Sequence, residues 1–308
     1  MEKFSLNILG CGSATPTARH LPACQVINFR DTLMMIDCGE GAQLSVRKMG
    51  LKFSRISHIF ISHLHGDHCL GLPGLLSTMA LHGVGGTVRV YMHREGIPVF
   101  TQLMDFICAE RPYTLEFVEI PPQGGVLLET HALTVEAFPL YHRIPASGFI
   151  FREKPKGRHI KGDMVKFYNV PVRDIPSLRE GADLVLDDGR VIENSRLTTP
   201  ADPSGSYAYC SDTVFNPRVA EAVRGVDVIY HESTYKQSEA QLAKERFHST
   251  AAQAAEIARM ADARLLILGH YSKRYESGEE MLDEAVPIFP DTIAANEGMV
   301  ININEYAR

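Results

Sequence analysis

The chain predicts a layered α/β fold, and three observations carry that expectation. Short runs rich in Ile, Val, Leu and Phe recur from end to end, each the length of a buried strand. Segments with helical spacing stand between several of them. A composition 45% hydrophobic and 22% charged suits a globular chain with a sizeable core. Sheet inside and helices outside is the arrangement these features favour. The 308 residues could hold one large domain or two ordinary ones, and are taken as one domain spanning 1–308 with an inserted arm.

In chain order, the strand-like runs are FSLNILG (4–10), LMMID (33–37), SHIFIS (57–62), TVRVYM (87–92), LEFVEI (115–120) and LTVEAF (133–138). SYAYC (206–210), VDVIYH (226–231) and RLLILG (264–269) follow. LPGLLSTMAL (72–81), IPVFTQLMDFI (97–107) and STAAQAAEIARMA (249–261) carry helical spacing. Asn216-Pro217 and the T-x-x-Q of Thr250–Gln253 are helix-start signals. There is no internal repeat.

Residues 151–200 break the pattern. FREKPKGRHIK sets Arg152, Lys154, Lys156, Arg158 and Lys161 against Glu153, and the acidic EGADLVLDDG follows. A polar excursion of this length within a domain reads as an arm or functional loop.

The net charge of −6 gives no global support to nucleic-acid binding. A polyanionic substrate would have to be met by local cations or by metal. Six scattered cysteines without a C-x-x-C pair argue against a disulfide framework and for a reducing cytosol. MEKFSLNILG lacks the apolar run of a signal peptide. No stretch approaches the roughly 20 apolar residues that span a bilayer. A cytoplasmic protein with no membrane partner is expected.

The densest chemistry is ISHLHGDH (61–68), which places His63, His65, Asp67 and His68 within six positions. His142, Asp212 and His270 each stand at the mouth of an apolar segment, where side chains are held stiffly. Four ligands would close a single structural zinc. Seven suit two ions about 3.5–4 Å apart, with Asp212 as the natural bridge because a carboxylate has two oxygens. Imidazole and carboxylate donors fit two Zn²⁺ per chain best, with Mn²⁺ or Fe²⁺ as alternatives. Cys69 and Cys210 lie beside ligands and read as small core residues.

H-x-H-x-D-H followed by a distant His, Asp and His, with IDCGEGAQ (36–43) upstream, resembles the metallo-β-lactamase fold, an αββα sandwich of two packed sheets. HEST (231–234), FHSTAAQAA (247–255), GHYSKRY (269–275), GLPGLL (71–76) and an inserted basic arm narrow the resemblance. Together they resemble the ribonuclease Z family, endonucleases that mature tRNA 3′ ends. The similarity runs from LGCGSATPTARH to the last motif. It implies a first zinc on His63, His65, His142 and Asp212, and a second on Asp67, His68, Asp212 and His270. It also implies Asp67 as base, His248 as proton donor, precursor tRNA as substrate and a homodimer. One departure is PTARH (16–20), where the family has a P-x-K-x-R-N-like loop: Arg19 matches, the lysine is missing, and His20 replaces the asparagine. The family links that loop to the tRNA 3′ end, so the departure bears on an encoded CCA.

The mechanism expected from these residues is two-metal phosphodiester hydrolysis that leaves a 3′-OH on the tRNA. His248 would lie just before a helix N-terminus, whose positive end lowers an imidazole pKa. Glu232 of HEST is the candidate to offset this and keep His248 charged. Arg19, Lys154, Lys156, Arg158, Lys161 and Arg274 are the cations expected to meet RNA phosphates. The alternative is a hydrolase of the same fold acting on a small phosphodiester or a thioester. A non-catalytic RNA-binding protein with structural metals is the third reading.

Overall fold

The computed structural model describes residues 4–308; Met1–Lys3, the start of the MEKFSLNILG stretch, lie outside the described residues. The described chain as far as Arg152 folds with Gly205–Ala307 into one compact unit, and Glu153–Ser204 form a second.

The first unit is built on two seven-stranded sheets. Their strands, in chain order, are β1 (Phe4–Gly10), β2 (Cys24–Phe29), β3 (Thr32–Ile36), β4 (Ile56–Phe60), β5 (Thr87–Met92), β6 (Thr114–Glu119) and β7 (Gly125–Glu129). Then follow β8 (Leu133–Pro139), β9 (Ser147–Glu153), β10 (Ser206–Cys210), β11 (Val228–Glu232), β12 (Leu265–Gly269), β13 (Thr292–Ala294) and β14 (Val300–Asn302). One sheet has the order β14-β1-β2-β3-β4-β5-β6 and the other β13-β12-β11-β10-β9-β8-β7. Each is mixed. Strands β3 to β6 are mutually parallel, as are β10 to β13, while β1, β2 and β14 pair antiparallel.

Period-2 alternation sorts the side chains of the first sheet. Leu6, Ile8, Ile27, Met34, Ile36 and Phe60 join one buried cluster with Phe149, Phe151 and Tyr207 of the second sheet. Phe60 meets Phe149 and Phe151 with ring centroids 5.5 and 5.6 Å apart. The alternate residues Leu9, Val26, Leu33, Met35, Ile59 and Ile61 face α1 (Ala42–Lys48), α3 (Leu72–Leu81) and α4 (Gly96–Ile107) through Val46, Leu75 and Phe100. Between them lies the single turn α2 (Gly66–Cys69). On the second sheet, α5 (Pro217–Ala222), α7 (Ala251–Met260) and α8 (Glu279–Ala285) bury Val219, Ala254 and Met281; α6 (Ala240–Arg246) precedes α7. The layers are therefore helix, sheet, sheet, helix, as expected. Each such Val, Leu, Ile, Phe or Met side chain taken from water contributes about 1.5–3 kcal/mol.

Every strand-like run pairs in one of the two sheets. Both helix-start signals also act: Asn216 caps α5 by accepting from Arg218 N, and Thr250 and Gln253 form a reciprocal capping box on α7. Strands β2, β7, β9, β13 and β14 were not anticipated. β7 has no buried side chain, and β13 and β14 are three-residue strands.

The second unit differs from a plain polar loop. Two two-residue ribbons, His159–Ile160 with Thr198–Thr199 and Leu184–Val185 with Val191–Ile192, accompany three short helices. They enclose a small apolar cluster of Val170, Leu178, Leu184, Ile192 and Leu197. The basic run is woven into this fold. Lys156 Nζ lies 2.8 Å from Glu153 Oε2 and donates to Pro203 O. Arg158 donates to Thr198 Oγ1, and Lys161 to Ser195 O. Across Glu153–Ser204, nine Lys and Arg face nine Asp and Glu, so positive density is confined to the stretch around 154–161.

Candidate metal centre

The seven expected ligands converge in the first unit, where the C-terminal ends of strands from both sheets meet. His63 and His65 follow β4, and Asp67 and His68 sit on α2, so ISHLHGDH is a loop entering one helical turn. His142 follows β8, Asp212 follows β10 and His270 follows β12. His63, His65, His142 and Asp212 offer ligand atoms within 4.8 Å of one another, and so do Asp67, His68 and His270. Asp212 joins the two groups. Its Oδ2 faces His63 Nε2 at 3.5 Å and His142 Nε2 at 3.9 Å, while Oδ1 faces His270 Nε2 at 3.1 Å and His68 Nε2 at 3.5 Å.

The outer nitrogens are already committed. His68 Nδ1 lies 2.7 Å from Asp37 Oδ2, and His142 Nδ1 lies 2.9 Å from Phe247 O. Neither oxygen can donate, so both imidazoles place their N–H outward and their Nε2 lone pair inward. His270 Nδ1 is 2.8 Å from Thr234 Oγ1, and His63 Nδ1 is 3.1 Å from Ser62 Oγ. The inner nitrogens then crowd each other: His63 Nε2 is 3.0 Å from His65 Nδ1, and His68 Nε2 is 3.3 Å from His270 Nε2. Buried Asp212 Oδ1 finds no hydrogen-bond donor among the described residues. Converging lone pairs around an unsatisfied carboxylate oxygen fit cations at these points.

Backbone geometry supports the cluster. Asp37 and His270 adopt φ of 55° and 60°, a left-handed region costly for such residues. For His270 this turn comes directly after β12. Asp37, fully buried, gathers Ser62 N, Ser62 Oγ, Tyr209 OH and His68. The 36–43 loop reaches the ligand loop through Cys38 N to His68 O, 2.7 Å, and Gly71 N to Cys38 O, 2.8 Å. A Cβ on Gly71 would lie 1.9 Å from Gly39 O, so only glycine permits this approach.

Electrostatics follow from burial and crowding. Burial and then neighbouring His68 push His63 down to about 4. Burial also opposes charge on His68, but Asp37, Asp212 and Asp67 outweigh it and hold the imidazole well above its ordinary value. Burial opposes ionisation of Asp67 and Asp212, yet His68 and His270 keep both carboxyls well below their usual range. Burial lifts the Cys69 thiol to about 11 and raises Cys210 further, so both stay neutral.

His248 lies beside this cluster. Its Nδ1 is 2.9 Å from Glu232 Oε1, the end of β11, and 4.0 Å from Asp212 Oδ2. Glu232 is fixed by Thr213 N, Ser249 N and Thr234. Burial opposes charge on His248, but Glu232 and Asp212 raise its pKa to about 9.

A cleft of about 540 Å³ opens over Asp67, Asp212, His248 and His270. Arg143, Arg246, Lys273 and Arg274 line it, and Glu40 joins Asp67 and Asp212 as its acids. Arg274 is exposed and bonds Glu239; Arg19 is exposed and outside this lining. Lys154, Lys156, Arg158 and Lys161 belong to the second unit. Sequence reasoning gave no individual role to Asp37, Thr234 and Lys273, though they lie within IDCGEGAQ, HEST and GHYSKRY, and it missed Arg143 and Arg246. A carboxylate closing the apolar run LMMI was the available signal for Asp37.

Two sheets packed between helices, with a His/Asp cluster at the strand ends, define a metal-binding protein of the metallo-β-lactamase fold. A Bacillus subtilis protein of that fold, YhfI, superposes with a TM-score of 0.69 over 97% of this chain and 99% of its own, at 16% identity. A family model described as "Anti-Pycsar protein Apyc1" matches residues 4–102. Human tRNase Z, short form, superposes with a TM-score of 0.70 at 25% identity, covering 97% of this chain and 99% of its own. A Bacteroides fragilis protein named Ribonuclease Z is 51% identical over 306 residues, 98% of this chain and 100% of that one. A Porphyromonas gingivalis protein of the same name is 49% identical over 305 residues, again 98% and 100%. The chain belongs to the ribonuclease Z family.

Proposed function

We propose that this chain is an endoribonuclease that removes the 3′ trailer of precursor tRNA with a pair of zinc ions. The observation that carries the reading is 51% identity to a relative named Ribonuclease Z over 98% of the chain. In this reading His63, His65, His142 and Asp212 hold one ion, and Asp67, His68, Asp212 and His270 the other. Manganese or iron would suit the same nitrogen and oxygen donors. When bound, the pair acidifies water and offsets the negative charge that gathers on the phosphate.

The chain's own residues handle the protons. Asp67, ionised and at the cleft, accepts one from the attacking water. His248 meets Glu232 through Nδ1, so its Nε2–H is the donor available to the cleft. As the P–O3′ bond breaks, the electron pair stays on O3′ and His248 gives it a proton. The products are a 3′-OH on the tRNA and a 5′-phosphate on the trailer. Glu232 orients the ring and holds it charged. Arg143, Arg246, Lys273 and Arg274 meet phosphates at the cleft, and the arm holds RNA through Lys154, Lys156, Arg158 and Lys161. Arg19 adds a contact from the 16–20 loop. The enzyme acts as a cytoplasmic homodimer; among the described residues no helix is long and apolar enough to cross a membrane.

The test is incubation of a 3′-extended precursor tRNA with and without chelator, followed by end mapping. Chelator-sensitive cleavage at the tRNA 3′ end is expected. Turnover of only small phosphodiesters or thioesters would replace this reading with the alternative.

A further inference from the structure

Away from the cleft, a second group of metal-type donors converges. Cys11 Sγ, His20 and Glu297 offer ligand atoms within 4.8 Å of one another. Cys11 directly follows β1, His20 closes the PTARH loop, and Glu297 lies between β13 and β14. We propose that these three side chains form a further cation site, suited to a thiophilic divalent ion such as zinc and separate from the His/Asp centre. This goes beyond the proposed function and does not depend on it.

The donors are set by backbone contacts. Glu297 Oε1 accepts Leu21 N at 2.8 Å and Cys11 N at 3.4 Å, and Oε2 lies 3.0 Å from His20 Nδ1. Cys11 Sγ lies 3.4 Å from the same nitrogen and its S–H donates to Ala295 O at 3.4 Å. Thr17 Oγ1 accepts His20 N at 2.9 Å, which fixes the loop that delivers the ring. A Cβ on Gly12 would come 3.0 Å from His20 Cβ, so glycine allows the approach.

Sulfur, nitrogen and oxygen together match zinc. Cys11 is buried, while the His20 and Glu297 side chains are 14% and 24% exposed. That leaves an entry path and room for water as a fourth ligand. Without a cation, burial and Glu297 hold the thiol neutral. Loading is an exchange in which the Cys11 S–H proton leaves to water and the sulfur pair binds the ion, with no oxidation. The loop is shared with the cleft: Ser13, Ala14 and Thr15 line it, and Tyr271 N donates to Cys11 O beside His270. An ion here would fix that wall.

Cobalt substitution of the full-length protein tests the site, because the His/Asp centre contains no thiolate. The expected result is a near-ultraviolet thiolate-to-cobalt band, lost in Cys11→Ala and in His20→Asn and kept in Cys69→Ala. Metal analysis should show one ion fewer per chain in the first two variants. Should Cys11→Ala fail to fold, Glu297→Gln and His20→Asn carry the test with the cysteine in place. Absence of the band in the parent protein, or its persistence in the folded variants, would overturn the site.

Discussion

At the scale of the residue, orientation outweighs identity. Asp37 holds the His68 Nδ1–H outward, which in the proposed centre turns its Nε2 toward an ion. Asp37→Asn should weaken cation binding about 10–100-fold, measured by competition with a chromophoric chelator. His248 carries the other residue-scale expectation. With its pKa raised to about 9, the proton-donating form is present below that value and lost as pH rises through it. Part of the rise comes from Asp212, so cations on that carboxylate bring the descending limb lower. Glu232→Gln should move the limb further down, because the largest supporting charge is removed. His248→Ala should cut the single-turnover rate about 10²–10⁴-fold at unchanged metal content. An unaltered rate in metal-loaded protein would assign His248 to loop bracing.

Two elements act through close approach and through local packing. The ligand loop and the 36–43 loop meet at Gly39 and Gly71, where a methyl group would strike a backbone oxygen. Gly71→Ala should destabilise the protein by about 1–3 kcal/mol and lower metal occupancy, read by thermal unfolding and metal analysis. The arm holds its own small core and spends several cations on internal bonds. Cutting out 152–161 would therefore unfold it as well as remove charge. Replacing Glu153–Ser204 by a short linker is the cleaner experiment. KM for precursor tRNA should rise about tenfold or more, with a shallower salt dependence, while a small phosphodiester is spared. Equal loss on both substrates would argue against an RNA-holding arm.

Across the whole molecule, the proposed centre ties the two sheets together, since His63 to His68 follow a strand of the first sheet and His142, Asp212 and His270 follow strands of the second. Cations that bind only the folded state stabilise it by about 2.7 kcal/mol at a hundredfold excess over Kd. Chelation should therefore lower Tm by roughly 5 °C, and re-adding zinc should restore it. An unchanged Tm would mean that the crowded imidazoles are satisfied by protons alone.

Much of this was legible from local pattern. Strand runs and capping signals depend on neighbours a few residues apart, so the layered α/β expectation and the α5 and α7 starts could be read directly, while the αββα sandwich was implied by the resemblance to a known fold. The seven candidate ligands stood out for a related reason: polar side chains at or just past the ends of apolar runs contrast with them. Edge strand β7 and the three-residue strands β13 and β14 left no such pattern, because their pairing depends on partners far along the chain. Only the tertiary structure decided that Asp37 sets the His68 tautomer, that Arg143, Arg246 and Lys273 share the cleft, and that Cys11, His20 and Glu297 converge. Hydrogen bonds and charges act over a few ångströms in space, and Cys11 and Glu297 are 286 positions apart in the chain.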